Sequence, residues 1–231
     1  MRIGGIQRFT LIDFPGKVAC IVFTQGCNFR CPYCYNRSLV LPEYFEEPIP
    51  EDVFFRFLRS RRGLLDGVVI TGGEPTVQED LLNFMENIKS MGFLVKLDTN
   101  GSHPEVVKEV IERELVDYIA MDVKAPLRKY KEVIRVEDFD VGNIVRSIHL
   151  LMDSGVDYEF RTTVVREQLT PEDILEIGKL IKGAKRYALQ KFVVTDTLLN
   201  PSFKEKHTYT EEELERIAEG LREYIEEVKV R

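Results

Sequence analysis

Two periods of apolar spacing alternate along this chain. Runs rich in Val, Ile, Leu and Phe at 18–24, 67–71, 93–98, 117–122, 157–164 and 186–194 read as strands. Between them, apolar residues recur every three to four positions and predict helices near 51–62, 77–91, 104–114, 140–154 and 171–182. A further helix is predicted near 211–228, with a stripe of Leu214, Ile217, Ala218, Leu221, Ile225 and Val228. The start signals are specific. Thr76-x-x-Glu79 and Thr210-x-x-Glu213 have capping-box spacing, while Pro104 and Pro171 suit a first helical turn, the latter behind Thr170 as N-cap.

Strands alternating with helices imply a mainly parallel six-stranded sheet with outer helices. Six βα units are two short of a closed eight-fold barrel, so the expected fold is α/β, an open partial (β/α)6 TIM-like barrel. One domain over 1–231 is expected, with its core at about 16–195 and a C-terminal loop and helix at 196–231. In such folds functional groups gather at the C-terminal strand ends. Here Cys27 follows the first predicted strand, Gly72-Gly73-Glu74-Pro75 the second, and Asp98-Thr99-Asn100-Gly101 the third. Asp122-Val123-Lys124 ends the fourth, Arg161 lies in the fifth and Gln190 in the sixth.

The chemistry concentrates in Cys27-Asn-Phe-Arg-Cys31-Pro-Tyr-Cys34, which holds three of the chain's four cysteines. Three thiolates on one short loop supply three corners of a cubane iron–sulfur cluster, where ferredoxin-type ligation uses four. One iron is then left open to an outside ligand. The alternative, a zinc site, wants a fourth Cys or His nearby. Cys20, in an apolar run, reads as a buried strand residue, and His103, His149 and His207 are scattered.

Composition narrows the setting. A net charge of −7 argues against a nucleic-acid or anionic-membrane surface. No stretch approaches the ~18 consecutive apolar residues of a membrane span, and the start, Met1-Arg-Ile-Gly-Gly, has no signal-peptide core. A cytoplasmic protein is expected, in which clustered cysteines point to metal or catalysis rather than disulfides. Abundant Lys, Glu and Arg without Trp hint at a thermophile. The run Arg59-Ser-Arg61-Arg62 reads as the end of a helix, where cations suit the dipole.

With these residues assembled, the chain resembles the radical S-adenosylmethionine (SAM) superfamily, through Cys-x3-Cys-x-Tyr33-Cys and the following Gly-Gly-Glu turn. Asp13-Phe-Pro-Gly16, Phe23-Thr-Gln-Gly-Cys27 and Cys34-Tyr-Asn36 are similar to its glycyl-radical-enzyme activating branch. Gly4-Gly-Ile-Gln-Arg-Phe-Thr-Leu-Ile-Asp13 and Leu189-Gln-Lys-Phe192 most resemble the activases of anaerobic ribonucleoside-triphosphate reductase of the longer type. The resemblance implies that Cys27, Cys31 and Cys34 hold a [4Fe–4S] cluster whose open iron binds SAM. Reductive cleavage then yields methionine and a 5′-deoxyadenosyl radical, which generates a glycyl radical on a large partner enzyme.

It further implies SAM contacts from Tyr33 (against adenine), Gly72 and Gly73 (toward the methionyl ammonium), Glu74, Asp122, Lys124 and Arg161. Gln190 stands where pyruvate formate-lyase activases carry a ribose-contacting His. Asp98, Thr99 and Asp122 resemble residues that hold a monovalent cation beside SAM. Plainer readings stand alongside: a structural Asp122–Lys124 pair, neutralisation of Arg161 by Glu159, and simple turn chemistry at Asp98–Gly101. A flavodoxin or ferredoxin is the implied electron donor. The competing functions are activation of a pyruvate formate-lyase-type enzyme, a compact small-molecule enzyme such as a 7-carboxy-7-deazaguanine synthase, and a non-catalytic electron carrier.

Overall fold

The computed structural model describes all residues from Met1 to Arg231. Eight strands form one sheet whose spatial order follows the chain. They are β1 (Ile3–Thr10), β2 (Ala19–Thr24), β3 (Gly67–Gly72), β4 (Leu94–Thr99), β5 (Tyr118–Asp122), β6 (Asp157–Val164), β7 (Arg186–Lys191) and β8 (Glu227–Val230). Strands β2 to β8 pair in parallel, and β1 is antiparallel to β2. The helices are α1 (Arg37–Val40), α2 (Glu51–Arg59), α3 (Leu81–Ser90), α4 (Pro104–Glu112), α5 (Tyr130–Ile134), α6 (Gly142–Asp153), α7 (Pro171–Leu180) and α8 (Glu211–Leu221). This is an open, partial TIM-like barrel.

The six expected strands are β2 to β7. Two more extend the sheet. Gly4 and Gly5 obscure β1, because glycine weakens strand preference. The last strand was hidden inside the predicted final helix: α8 stops at Leu221, and Val228 pairs with Tyr187 in β8. The tail after residue 196 therefore contributes a strand to the barrel as well as a loop and a helix.

Strand alternation sorts the side chains by face. One parity, including Cys20, Val22, Ile70, Leu97, Met121 and Phe160, packs against the helices as the main core. The other parity faces inward. Near the N-terminal ends it supplies a small apolar plug of Ala19, Ile21, Val69, Tyr118 and Ala120, closed by Phe14. Further along the same faces it turns polar, with Lys96 and Asp98 on β4, Asp122 on β5 and Arg161 on β6.

One of the two expected capping boxes forms, and another arises at Thr170, where only an N-cap was expected. Thr170 accepts from the Asp173 N–H and Asp173 accepts from the Thr170 N–H, and Thr210 and Glu213 do the same. The Thr76–Glu79 box does not. Thr76 lies in a 3-10 turn and gives both its N–H and its hydroxyl to Glu74, so α3 begins only at Leu81. The basic run does end a helix: Arg56 and Arg59 close α2, opposite Glu51 and Asp52 in its first turn.

Glu159, on the inner face of β6, is 3% exposed and is neutralised by Arg231, which donates to its two oxygens at 3.2 and 2.9 Å. Arg231→Ala leaves that carboxylate buried without its cation. A loss of about 1–3 kcal/mol is expected in urea unfolding, with most of it restored by adding Glu159→Gln. An unchanged midpoint for Arg231→Ala would show that the tail does not secure the barrel.

Candidate functional site

The three cysteines sit on the loop leaving β2 and line one cavity of about 520 Å³ together with Asp98, Asp122, Lys124, Arg161 and Gln190. The size is that of a small-molecule site. The loop is held at several points. Arg30 caps the Cys27 and Phe29 carbonyls at 2.6 and 2.8 Å. The segment after β7 straps it through Leu199 N–H to the Cys34 carbonyl and Asn200 N–H to the Pro32 carbonyl. Burial pushes the Cys27 thiol up to about 12, helped by the nearby Glu74 charge. Burial likewise raises Cys31 to about 11, although Lys124 opposes it, and raises Cys34. Loading a metal must therefore displace protons.

Five charges cross the cavity floor in alternating sign. Lys96 donates to Asp98 at 2.5 Å and Arg161 bridges Asp98 and Asp122 at 3.2 and 2.8 Å. Lys124 donates to the other Asp122 oxygen at 2.8 Å. Burial works against ionising Asp122, but Arg161 and Lys124 outweigh it and hold its carboxyl at about 2. Arg161 and Lys96 likewise outweigh burial at Asp98 and lower its pKa. The Lys124 ammonium is stabilised by Asp122 against the same burial, so its pKa is raised. Arg161 therefore takes its partners from β4 and β5, and Glu159 is not one of its ion pairs.

At the expected monovalent-cation site the oxygens already have protein partners. The Asp98 and Asp122 oxygens already face Lys96, Arg161 and Lys124, and the Thr99 hydroxyl donates to Glu74 at 2.7 Å.

Glu74 is hydrogen-bonded within the protein. It is 1% exposed, and its carboxylate is committed to protein donors: the Thr76 N–H and hydroxyl, the Thr99 hydroxyl at 2.7 Å and the Asn100 N–H at 2.6 Å. Glu74 braces the ends of β3 and β4. The brace continues into the cysteine loop, because the Asn100 amide donates to Asn28 at 3.0 Å and Asn28 donates to Ser102 at 2.8 Å. Sequence reading missed both asparagines as struts: Asn100 beside Gly101 signals a turn first, and Asn28 carries no local signal.

Gly72 and Gly73 turn their bare faces toward backbone. A Cβ on Gly72 would lie 2.4 Å from the Thr24 nitrogen, and one on Gly73 would lie 2.0 Å from the Gly26 oxygen. Their requirement for glycine is met by packing on the start of the cysteine loop.

Tyr33 is buried at the cavity, and Gln190 and Thr163 reach its wall. Cys20 is fully buried in the outer core. His103 caps α4 beside the Thr76 and Ser102 hydroxyls, while His207 pairs with Glu167 at 2.6 Å. None of the three histidines lines the cavity.

The profile of the radical SAM superfamily matches residues 21–181. A Methanocaldococcus jannaschii protein, provisionally assigned as a glycyl-radical enzyme activating enzyme, is 37% identical over 99% of this chain and 95% of its own length. The pyruvate formate-lyase-activating enzyme of Listeria monocytogenes is 31% identical, covering 78% of this chain and 76% of that protein. The 7-carboxy-7-deazaguanine synthase of Thermococcus kodakarensis is 29% identical, covering 76% and 74%. Among solved structures, Streptococcus suis SuiB bound to its precursor peptide superposes with a TM-score of 0.71 at 16% identity. It covers 90% of this chain, which spans about half (47%) of SuiB. The chain belongs to the radical SAM superfamily. It is an enzyme, and its full-length likeness is to the glycyl-radical-activating relatives.

Two outcomes follow from the geometry. Gly73→Ala forces a Cβ into backbone that cannot move aside; it should cost about 3 kcal/mol and lower iron uptake on reconstitution. The control Gly92→Ala, where φ is +87° and no atom lies within 4 Å, should cost about 1 kcal/mol and load normally. Equal iron uptake by both would contradict the packing role.

Asp122 ionises at about 2 in the fold against 3.8 when free, a difference of about 2 kcal/mol. That stability is complete above about pH 4 and is lost as pH falls through about 2. The gap in unfolding free energy between wild type and Asp122→Asn should close over that window. A gap independent of pH would contradict it.

Proposed function

We propose that this protein activates a glycyl-radical enzyme, with anaerobic ribonucleoside-triphosphate reductase as its partner. The observation that carries the reading is that three cysteines and a chain of mutually paired buried charges share one cavity. Three thiols suit an iron–sulfur cluster with an open iron. The Lys124 ammonium, held at the cavity by Asp122, suits a carboxylate, and SAM carries one. A buried Tyr33 hydroxyl without a protein partner adds a second sign that the site is completed from outside.

Cys27, Cys31 and Cys34 would hold the [4Fe–4S] cluster. Lys124, Asp122, Arg161, the Gly72–Gly73 backbone, the Tyr33 ring and Gln190 would orient SAM. When bound, these two groups supply a low-potential electron and a 5′-deoxyadenosyl radical able to take a hydrogen atom from carbon. The chain's own task is positioning, which is why its charges are fixed by mutual pairing before any ligand arrives. A polypeptide substrate is supported by Val193, which lines the cavity and is 57% exposed. The reductant would be a flavodoxin or ferredoxin. No helix is long and apolar enough to cross a membrane.

The test is anaerobic. Protein reconstituted with iron and sulfide, then reduced, should cleave SAM and produce a glycyl doublet in the electron paramagnetic resonance (EPR) spectrum of the added reductase. Alanine at Cys27, Cys31 or Cys34 should abolish both signals, and Cys20→Ala should retain them. Failure to cleave SAM removes the radical reading itself. Cleavage with a doublet on pyruvate formate-lyase alone moves the partner. Turnover of the deazaguanine precursor with no doublet on either enzyme would favour the small-molecule reading, which the Thermococcus likeness keeps in view.

A further inference from the structure

A closed ring of hydrogen bonds stands beside Cys27. From Asn28, the next residue, the side-chain amide donates to the Ser102 hydroxyl at 2.8 Å. That hydroxyl lies 3.1 Å from Nδ1 of His103, and the same nitrogen lies 3.0 Å from the Thr76 hydroxyl. Thr76 donates to Glu74 at 2.6 Å, Glu74 accepts the Asn100 N–H at 2.6 Å, and the Asn100 amide returns to Asn28 at 3.0 Å. The ring ties together the cysteine loop, the turn after β3 and the segment between β4 and α4. His103 joins the arm through Ser102 to the arm through Thr76 and Glu74.

The histidine is not there for its helix. It stands at the N-cap of α4 but makes no side-chain capping bond, and Ser, Thr, Asp or Asn would serve better in that position. Counting hydrogens assigns its form. Glu74 receives four donors, the Thr76 N–H and hydroxyl, the Thr99 hydroxyl and the Asn100 N–H. The single Thr76 hydroxyl hydrogen is spent there, so the hydrogen in the contact between Thr76 and His103 comes from Nδ1. The Ser102 hydroxyl is oriented by two partners, Asn28 and His103. Without the second, its hold on Asn28 loosens.

We propose that His103 is a positioning residue for the cluster site. Its Nδ1–H closes the ring that fixes Asn28, and through Asn28 the backbone of Cys27, in the geometry that receives iron. The inference rests on the three cysteines holding a [4Fe–4S] cluster. His103 does not line the cavity, and its influence passes through Ser102 and Asn28. Groups that orient metal ligands from behind commonly change metal affinity by about tenfold or more.

Two measurements test it. Before reconstitution, the NMR shifts of the imidazole nitrogens should show the His103 hydrogen on Nδ1, the signal being assigned by its loss in His103→Gln. After reconstitution without SAM, iron release to a chelator should be about tenfold faster in His103→Gln than in wild type, and the EPR spectrum of the reduced cluster should shift. Ser102→Ala should show both changes, and the double variant should add little to either. His149→Gln, an exposed histidine on α6 outside the ring, should behave as wild type. A bare Nδ1 overturns the proposal, and so does a release rate equal to that of wild type. Faster release with an unshifted spectrum overturns it too, because His103 would then serve stability alone. Should His103→Gln fail to fold, the wild-type nitrogen shifts and the Ser102→Ala spectrum decide: a bare Nδ1 or an unshifted spectrum overturns it. Wild type that takes up no cluster removes the cysteine assignment, and this proposal with it, whatever form His103 takes.

Discussion

The cysteine loop and the turn after β3 meet backbone to backbone, and the site depends on that contact. Gly73 lies so close to Gly26 that no side chain fits between them. The Glu74 N–H donates to the Gly26 carbonyl at 2.8 Å, and the Gly73 N–H donates to Thr24 at 2.9 Å. Glu74 then reaches across to β4, and Asn100 returns from β4 to Asn28, beside Cys27. The position of the first cysteine is thus fixed by two strands to which it does not belong. A buried carboxylate is expensive unless hydrogen bonds satisfy it. Here that satisfaction is the means by which three segments are tied together.

The second dependence is electrostatic. Inward-facing positions change from apolar at the N-terminal strand ends to charged at the C-terminal ends, so the barrel is plugged below and polar above. Alternating signs from Lys96 through Asp98, Arg161 and Asp122 to Lys124 let five ionised groups share a nearly dry space. Isolated, each would lose several kcal/mol of hydration. Paired, they form a rigid floor beside the cysteines. The groups that would orient SAM need little rearrangement when it binds, which is the structural meaning of preorganisation.

Much of this was legible in the sequence because strand ends are marked by abrupt changes from apolar to polar residues. The run Ala120-Met-Asp122-Val-Lys124 already announced which faces would carry the charges, and the cysteine spacing announced the loop. What sequence could not show was direction. Gly72-Gly73-Glu74 reads as a ligand-binding turn, yet its glycines pack on Thr24 and Gly26 and its carboxylate on Thr76, Thr99 and Asn100. Residues Asp98, Thr99 and Asp122 read as oxygen ligands until Lys96 and Arg161 are seen to fill the space. Strand β8 was lost because Val228 continues the helical stripe of α8, and only pairing with β7 reveals it. In each case the missing information was a long-range partner, which local pattern does not contain.

The fate of one hydrogen atom tests the proposed activity most directly. A glycyl-radical enzyme carrying α,α-dideuterated glycine would be incubated anaerobically with the reduced, reconstituted protein and SAM, and the released 5′-deoxyadenosine analysed by mass spectrometry. Direct abstraction from the partner's glycine predicts one deuterium in the 5′-deoxyadenosine, and none when that glycine is replaced by alanine. Unlabelled 5′-deoxyadenosine from the deuterated partner would contradict it.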